Sequence, residues 1–265
     1  MSARVPPRSV VLTGASRGIG AALSEAYAAP GVRLGLVARS GESLAGVAQR
    51  CEAAGATVRT GGLDVRDTAA LTAWLEAFEA EGGTDLVIAN AGVSGGTDAA
   101  GQPETGATAI RQVRVNLEGA IATAAPFIEP MRRRGRGQIA FMSSLAAFLP
   151  IPDSPGYCAS KAGVLTYGLA LRALLAPAGV GVSVICPGFV ETEMSRRYGG
   201  WRPFLVEADR AAARIRQGLE RNERIIAFPR PLVATIQAAR LLPTPLAQAV
   251  MMRFRFHIAV DRTPP

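Results

Sequence analysis

Ser9-Val10-Val11-Leu12-Thr13-Gly14-Ala15-Ser16-Arg17-Gly18-Ile19-Gly20 joins a short apolar run to the first turn of a helix-period segment that extends to Ala29. Glycines in such a turn let the backbone approach a diphosphate closely. They also expose amide N–H groups at a helix N-terminus, where the helix dipole favours an anion. A glycine-rich turn alone is weak evidence; between a first strand and a first helix it stands in the context that phosphate binding requires. The spacing is Gly-x-x-x-Gly-x-Gly rather than Gly-x-Gly-x-x-Gly, and Gly14, Ser16, Arg17, Gly18, Ile19 and Gly20 become candidate cofactor contacts.

Outward from this turn the chain alternates between apolar runs and helical periodicity. Strands are expected at Ser9 to Thr13, Arg33 to Ala38, Thr57 to Leu63, Asp85 to Asn90, Gln138 to Ser143, Val180 to Cys186 and Arg224 to Ala227. Helices are expected at about Gly18 to Ala29, Glu42 to Ala54, Thr68 to Glu81, Thr105 to Arg134, Gly156 to Pro177 and Glu207 to Arg221. Strict rotation of strand and helix argues for parallel β-α-β units, and uninterrupted apolar strands argue for helices on both sheet faces. The expected fold is α/β, a doubly wound, Rossmann-like parallel sheet of about seven strands. Residues 1–229 form this domain, and 230–265 form a helical C-terminal extension of it in which Pro243 and Pro245 separate two short helices. Ligands of such sheets bind beyond the carboxyl ends of the strands, so chemistry is sought in the turns that follow them.

At the end of the second strand an acidic residue would bind the ribose 2′-hydroxyl of NAD. The sequence there is Val37-Ala38-Arg39-Ser40, with no carboxylate. Arg39, with Arg17 of the glycine turn, suits a 2′-phosphate and hence NADP(H). Asp64-Val65 after the third strand offers a carboxylate for an adenine amino group. Asn90-Ala91-Gly92 after the fourth gives small residues beside which a cofactor can pass, although Asn90 is equally a turn former.

Of the 29 basic residues one is lysine, Lys161, and the other 28 (29 minus 1) are arginine. Lys161 stands four positions after Tyr157, on the same face if the segment is helical. A compact ammonium beside a phenol favours the ionised phenol, moving a group with a pKa of about 10 toward the range useful in acid/base chemistry. The bland alternative is a coincidental surface pair.

Composition narrows the function classes. The chain has 265 residues, is 49% hydrophobic and has no linker, so one core is expected. Cys51, Cys158 and Cys186 form no Cys-x-x-Cys motif, so no disulfide framework or metal site is expected. With no secretory signal at Met1 to Arg8 and no apolar stretch of the roughly 18 residues a membrane span needs, a cytoplasmic location is expected. The net charge of +8 includes Arg132, Arg133, Arg134 and Arg136. These follow a long helix, where cations suit its negative end, and no aromatics interleave with them, so no nucleic-acid partner is expected. Membrane contact by the apolar, arginine-bearing tail is less favoured than intramolecular or subunit packing. The sole histidine, His257, lies away from every motif.

Taken in order, Thr13 to Gly20, Asp64, Asn90-Ala91-Gly92, Asn116, Ser143-Ser144, Tyr157 with Lys161, and Pro187-Gly188 with Thr192 resemble the short-chain dehydrogenase/reductase family over Val10 to Met194. The resemblance implies an NADP-dependent oxidoreductase that interconverts a small-molecule carbonyl compound and an alcohol, with Asn116, Ser144, Tyr157 and Lys161 as the catalytic set. Ser144 would hydrogen-bond the carbonyl oxygen and Tyr157 would protonate it. Lys161 would hold the nicotinamide ribose, and Asn116 would anchor a water that links Lys161 to solvent. Position alone does not separate Ser143 from Ser144, and Asn116 could instead bond a nearby backbone group. Pro187, Gly188, Val190 and Thr192 resemble the segment over the nicotinamide, and Glu193 to Val206 the substrate lid of related enzymes. Related enzymes pair the two long helices across a two-fold axis, which implies a homodimer or homotetramer, with Ala162, Gly163, Gly168 and Ala170 permitting close approach. The competing expectations are a catalytically silent dinucleotide-binding or scaffolding protein and a sugar-nucleotide epimerase, the latter usually with a longer chain.

Overall fold

A computed structural model describes residues 6–243, 246 and 257–258. Strands β1 (Ser9–Thr13), β2 (Arg33–Ala38), β3 (Thr57–Gly62), β4 (Leu86–Ala89), β5 (Gly137–Met142), β6 (Val180–Pro187) and β8 (Ile225–Phe228) form one sheet, in the order β3-β2-β1-β4-β5-β6-β8. All of its pairings are parallel. The order reverses between β1 and β4, which makes the crevice beyond their carboxyl ends the ligand site of this topology.

Helices α1 (Gly18–Tyr27), α2 (Gly41–Ala53) and α8 (Ala208–Glu220) cover one face; α3 (Thr68–Ala80), α5 (Gly119–Arg134) and α6 (Pro155–Leu175) cover the other. The period-2 alternation of strands explains how one sequence serves both cores. Val10 and Leu12 meet Leu23, Leu44 and Ile215, whereas Val11 between them joins Leu71, Phe127 and Leu171. Side-chain caps fix several helix starts: the Ser43 N–H donates to Ser40 Oγ at 3.2 Å, and the Ala70 N–H to an Asp67 carboxylate oxygen at 3.1 Å.

The expected helix from Thr105 to Arg134 is not uniform. It comprises α4 (Gly106–Val113), a π turn at Arg114–Glu118 and then α5. Within the π turn the buried Asn116 bonds the Val93 backbone in both directions, and Gly119 passes so close to Val65 that a Cβ would lie 2.7 Å from its Cγ2. These tertiary contacts override plain helical repetition. At the far end Gly135 adopts φ 66° and stops the helix. Arg132 pairs with Glu129 at 3.0 Å, and Arg134 pairs with Glu79 and donates to the Thr84 carbonyl at 2.9 Å, so the arginine cluster has intramolecular work.

After β6 come the short α7 (Glu193–Arg196) and β7 (Tyr198–Gly199), neither anticipated. Beyond β8, the first expected tail helix is α9 (Arg230–Ala239). The second falls largely outside the described residues. His257–Ile258 form β9, antiparallel to β7, with His257 opposite Gly199. Among the described residues no helix is long and apolar enough to cross a membrane.

Candidate active site

A cleft of about 1160 Å³ runs along the carboxyl ends of the strands, lined from Arg39 and Asp64 at one end, past the glycine turn, to Tyr157, Lys161 and α9 at the other. The glycine turn is shaped by backbone requirements. Gly14 and Gly18 have φ of 69° and 56°, where a side chain is strained. A Cβ on Gly14 would lie 2.8 Å from the Ala91 Cα, and one on Gly20 would run into the Gly14 carbonyl. Asn90 holds the turn against the end of β4, its Nδ2 donating to the carbonyls of Thr13 at 3.0 Å and Gly14 at 3.1 Å. Its side chain is therefore a strut for the turn, and Ala91 and Gly92 line the cleft beside it. This bare cradle at a helix N-terminus fits a dinucleotide diphosphate.

The adenosine end differs in detail from expectation. Arg39, Ser40 and Ser43 line the cleft where β2 gives way to α2. Asp64 does not offer a free carboxylate. Arg66 grips it through Nε at 3.1 and 3.0 Å and through Nη2 at 2.7 Å. Burial works to raise the Asp64 pKa, but the hydrogen bonds and charge of Arg66, helped by Arg39, outweigh it and hold the carboxyl below its ordinary value. Arg17 likewise has a partner: its guanidinium lies 2.5 Å from Glu193 at the start of α7, closing a bridge over the glycine turn. Val65 is buried and fills the space beside Gly119. Neither Arg66 nor Glu193 was singled out from sequence. Arg66 was recoverable as an opposite charge two residues from Asp64, whereas Glu193 is 176 residues from Arg17 and carried no local signal.

At the other end Tyr157, Lys161, Ser144 and Asn116 converge. Tyr157 and Lys161 stand one turn apart on α6, with Nζ 5.6 Å from the phenol ring centre. The two adjacent serines take different places. The Ser143 hydroxyl is buried and donates to the Lys161 carbonyl at 2.7 Å, whereas the Ser144 hydroxyl faces the cleft beside Tyr157, donating to the Pro187 carbonyl at 3.5 Å and accepting from the Ala146 N–H at 3.1 Å. Asn116 donates to the Val93 carbonyl at 3.0 Å and to Ser160 Oγ at 2.9 Å, and accepts from the Val93 N–H at 2.8 Å. The backbone-bonding alternative for this side chain is thus what the structure has. It also lies beside the lysine: a Cβ on Gly92 would be 3.2 Å from Asn116 Oδ1 and 3.5 Å from Lys161 Nζ.

Protonation in this corner is governed by burial. Lys161 is 3% exposed and its Nζ donates to the Met142 carbonyl at 2.8 Å; removal from water brings the ammonium down to about 8. The Tyr157 phenol moves upward, contrary to the expected lowering by Lys161. Desolvation is the main cause, the nearby Tyr198 adds to it, and the polar Ser144 hydroxyl opposes it. A protonated phenol, a neighbouring hydroxyl and a buried ammonium form a group able to deliver a proton to an oxygen placed between them.

Pro187, Gly188 and Val190 line the same end of the cleft. The Gly188 N–H donates to the Phe228 carbonyl at 2.8 Å, and Val190 bridges to Val206. Thr192 caps α7 through the Ser195 N–H at 3.1 Å, and its methyl carbon abuts Gly18, where a Cβ would be 2.9 Å away. Beyond them the walls are apolar: Leu145, Leu149, Ile151, Trp201, Phe204 and, from α9, Leu232 and Ile236.

Fold and site together define a dinucleotide-binding α/β oxidoreductase. The short chain dehydrogenase family model matches residues 8–203, and the chain belongs to the short-chain dehydrogenase/reductase family, whose members bind a nicotinamide dinucleotide. It is 36% identical over 249 residues to an uncharacterized oxidoreductase of Myxococcus xanthus, covering 94% of this chain and 98% of that one. It is also 36% identical over 192 residues to 1-deoxy-11-beta-hydroxypentalenate dehydrogenase of Streptomyces exfoliatus, covering 71% and 69% of the two chains. Among solved structures, a short-chain dehydrogenase from Sphingobium yanoikuyae in complex with NADPH superposes with a TM-score of 0.77 at 28% identity, covering 96% of this chain and 99% of that one.

Proposed function

We propose that this oxidoreductase uses NADP(H) to interconvert a bulky, largely apolar ketone or aldehyde and the corresponding alcohol. The observation that carries the reading is the convergence of the Tyr157 phenol, the Ser144 hydroxyl and the Lys161 ammonium at the apolar end of the cleft. A bound reduced nicotinamide supplies the hydride. Ser144 donates a hydrogen bond to the carbonyl oxygen as negative charge grows there, and Tyr157 gives that oxygen its proton. Burial keeps the phenol protonated until the oxygen becomes basic enough to take the proton, and Lys161 then stabilises the phenolate left behind. Asn116 keeps the loop at Val93 and the Ser160 side of α6 in register with Lys161.

Arg39 at the end of β2, with Ser40 and Ser43 beside it and no carboxylate at the strand end, supports NADP(H) over NAD(H). The apolar lining supports a substrate held by surface burial rather than by charge pairing. The test is Tyr157→Phe, which removes one oxygen. Turnover of aryl and long-chain alkyl ketones should fall by roughly 10²-fold or more, the range for loss of a general acid. NADPH binding, followed by nicotinamide fluorescence, should persist. Near-wild-type turnover in this variant overturns the assignment.

A further inference from the structure

The described end of the tail sits against the substrate side of the cleft. Strand β9 pairs Ile258 with Tyr198 and His257 with Gly199. The Ile258 N–H donates to the Thr97 carbonyl at 2.8 Å, and the residue is 2% exposed. Its Cδ1 would be 2.8 Å from a Cβ on Gly96, and the His257 ring fills the space a side chain on Gly199 would need. The loop after β4 is fixed on its other side as well. The Thr97 N–H donates to the Asp153 carbonyl at 2.7 Å, and the Ser154 hydroxyl to the Gly95 carbonyl at 2.5 Å, immediately before the helix that carries Tyr157. Arg197 adds a bond to the Ser94 carbonyl at 3.1 Å. The tail strand thus lies between β7 and this loop and clamps one to the other, with Arg197 as a direct tie.

The clamp has one consequence for the site. Tyr198 lines the cleft with its phenol packed beside Ser94 and near Tyr157, and its ring stands edge-on to Phe189 at a centroid distance of 6.1 Å. We infer that the C-terminal strand His257–Ile258 is a structural part of the substrate site, holding Tyr198 as the wall that faces Tyr157 and so selecting carbonyl substrates by the size of the group next to the carbonyl. This rests on the carbonyl-reductase reading above. Tyr198 is the specificity residue; Ile258 is a positioning residue that acts through it.

Full-length Ile258→Pro removes the donor to Thr97, and Tyr198→Ala removes the wall. Both are assayed with NADPH across ketones graded by substituent size. Each should raise KM for the best wild-type ketone roughly tenfold, the scale of one lost packing element in a pocket. Each should also shift the preference toward larger substituents, with NADPH affinity unchanged. The double variant should add little to either single one, and Ile258→Val should restore the wild-type KM. Hydrogen exchange provides a readout independent of turnover: Ile258→Pro should accelerate exchange in peptides spanning Glu193 to Phe204 and leave those at Thr13 to Gly20 unchanged. If exchange and substrate order are both unaffected, the inference is overturned. If the wild type reduces no ketone while exchange responds as expected, the clamp stands and the carbonyl-reductase reading fails.

Discussion

Lys161→Met is expected to produce a protein that is more stable and inactive. The ammonium is 3% exposed, and burial takes its pKa from an ordinary 10.5 to about 8. Each tenfold change in proton affinity is worth about 1.4 kcal/mol, so keeping this group charged at neutral pH costs the fold about 3 kcal/mol. Methionine is close to lysine in length and volume and carries no charge. The substitution forfeits the Nζ bond to the Met142 carbonyl, returning about 1 kcal/mol. The net gain of about 2 kcal/mol should raise Tm by roughly 4–8 °C in a domain of this size. The pH dependence identifies the cause. Below pH 8 the lysine is charged in both folded and unfolded chains, and the wild type bears the full penalty. Between about 8 and 10.5 the folded protein releases a proton that the unfolded chain retains, so wild-type stability from this group rises with pH. The advantage of the variant should therefore be constant up to pH 8 and fade toward pH 10.5. Urea unfolding of both proteins from pH 6 to 10 measures it, and titrations common to both cancel in the difference. A variant less stable than wild type at pH 7, or an advantage that does not change with pH, would refute the reasoning.

Two further outcomes follow from the cofactor and surface residues. Arg39→Ser should lower kcat/KM for NADPH by roughly 10- to 100-fold, the worth of one charge-assisted bond to a phosphate, while leaving NADH nearly unchanged; equal use of both nucleotides by the unmodified protein sinks the NADP assignment. Sedimentation at micromolar concentration should give a dimer or larger oligomer that Leu174→Arg dissociates, because Leu174, Ile110 and Val113 leave 72%, 56% and 38% of their surface exposed on α6 and α4. A monomer in the wild type rejects the proposal.

The sheet was readable because the inner strands are runs of apolar residues long enough to supply both cores, as Val10, Val11 and Leu12 do. Strand ends were less readable because side chains beyond the strand set them. Asp85 accepts from the Arg8 N–H at 2.9 Å and from the Ser9 N–H at 3.2 Å, and Asn90 is occupied with the glycine turn; both were read as strand residues, yet β4 ends short of each. Small residues on α6 misled in a similar way. Gly163 and Gly168 were read as room for a second subunit, but a Cβ would lie 2.8 Å from Leu117 on one and 2.6 Å from Val184 on the other, so both make room within the same chain.

The site divides along the same physical line. Elements whose partners are near in sequence, the glycine turn and the Tyr157–Lys161 pair, were visible as spacing. Elements defined by depth or distant pairing were not. Ser143 and Ser144 are adjacent in the chain and diverge only because β5 ends between the core and the cleft, leaving the first hydroxyl on the Lys161 carbonyl and the second in the cleft beside Tyr157. The pairing of Tyr198 with Ile258 joins strands of two residues each, too short for any periodicity to register. A buried ammonium and a raised phenol pKa also follow from burial alone, which no spacing reveals. The one lysine of the chain sits where a guanidinium would be too large to share a closed corner with Met142, Asn116 and Tyr157, and the energetic cost of keeping it charged there is what the Lys161→Met comparison measures.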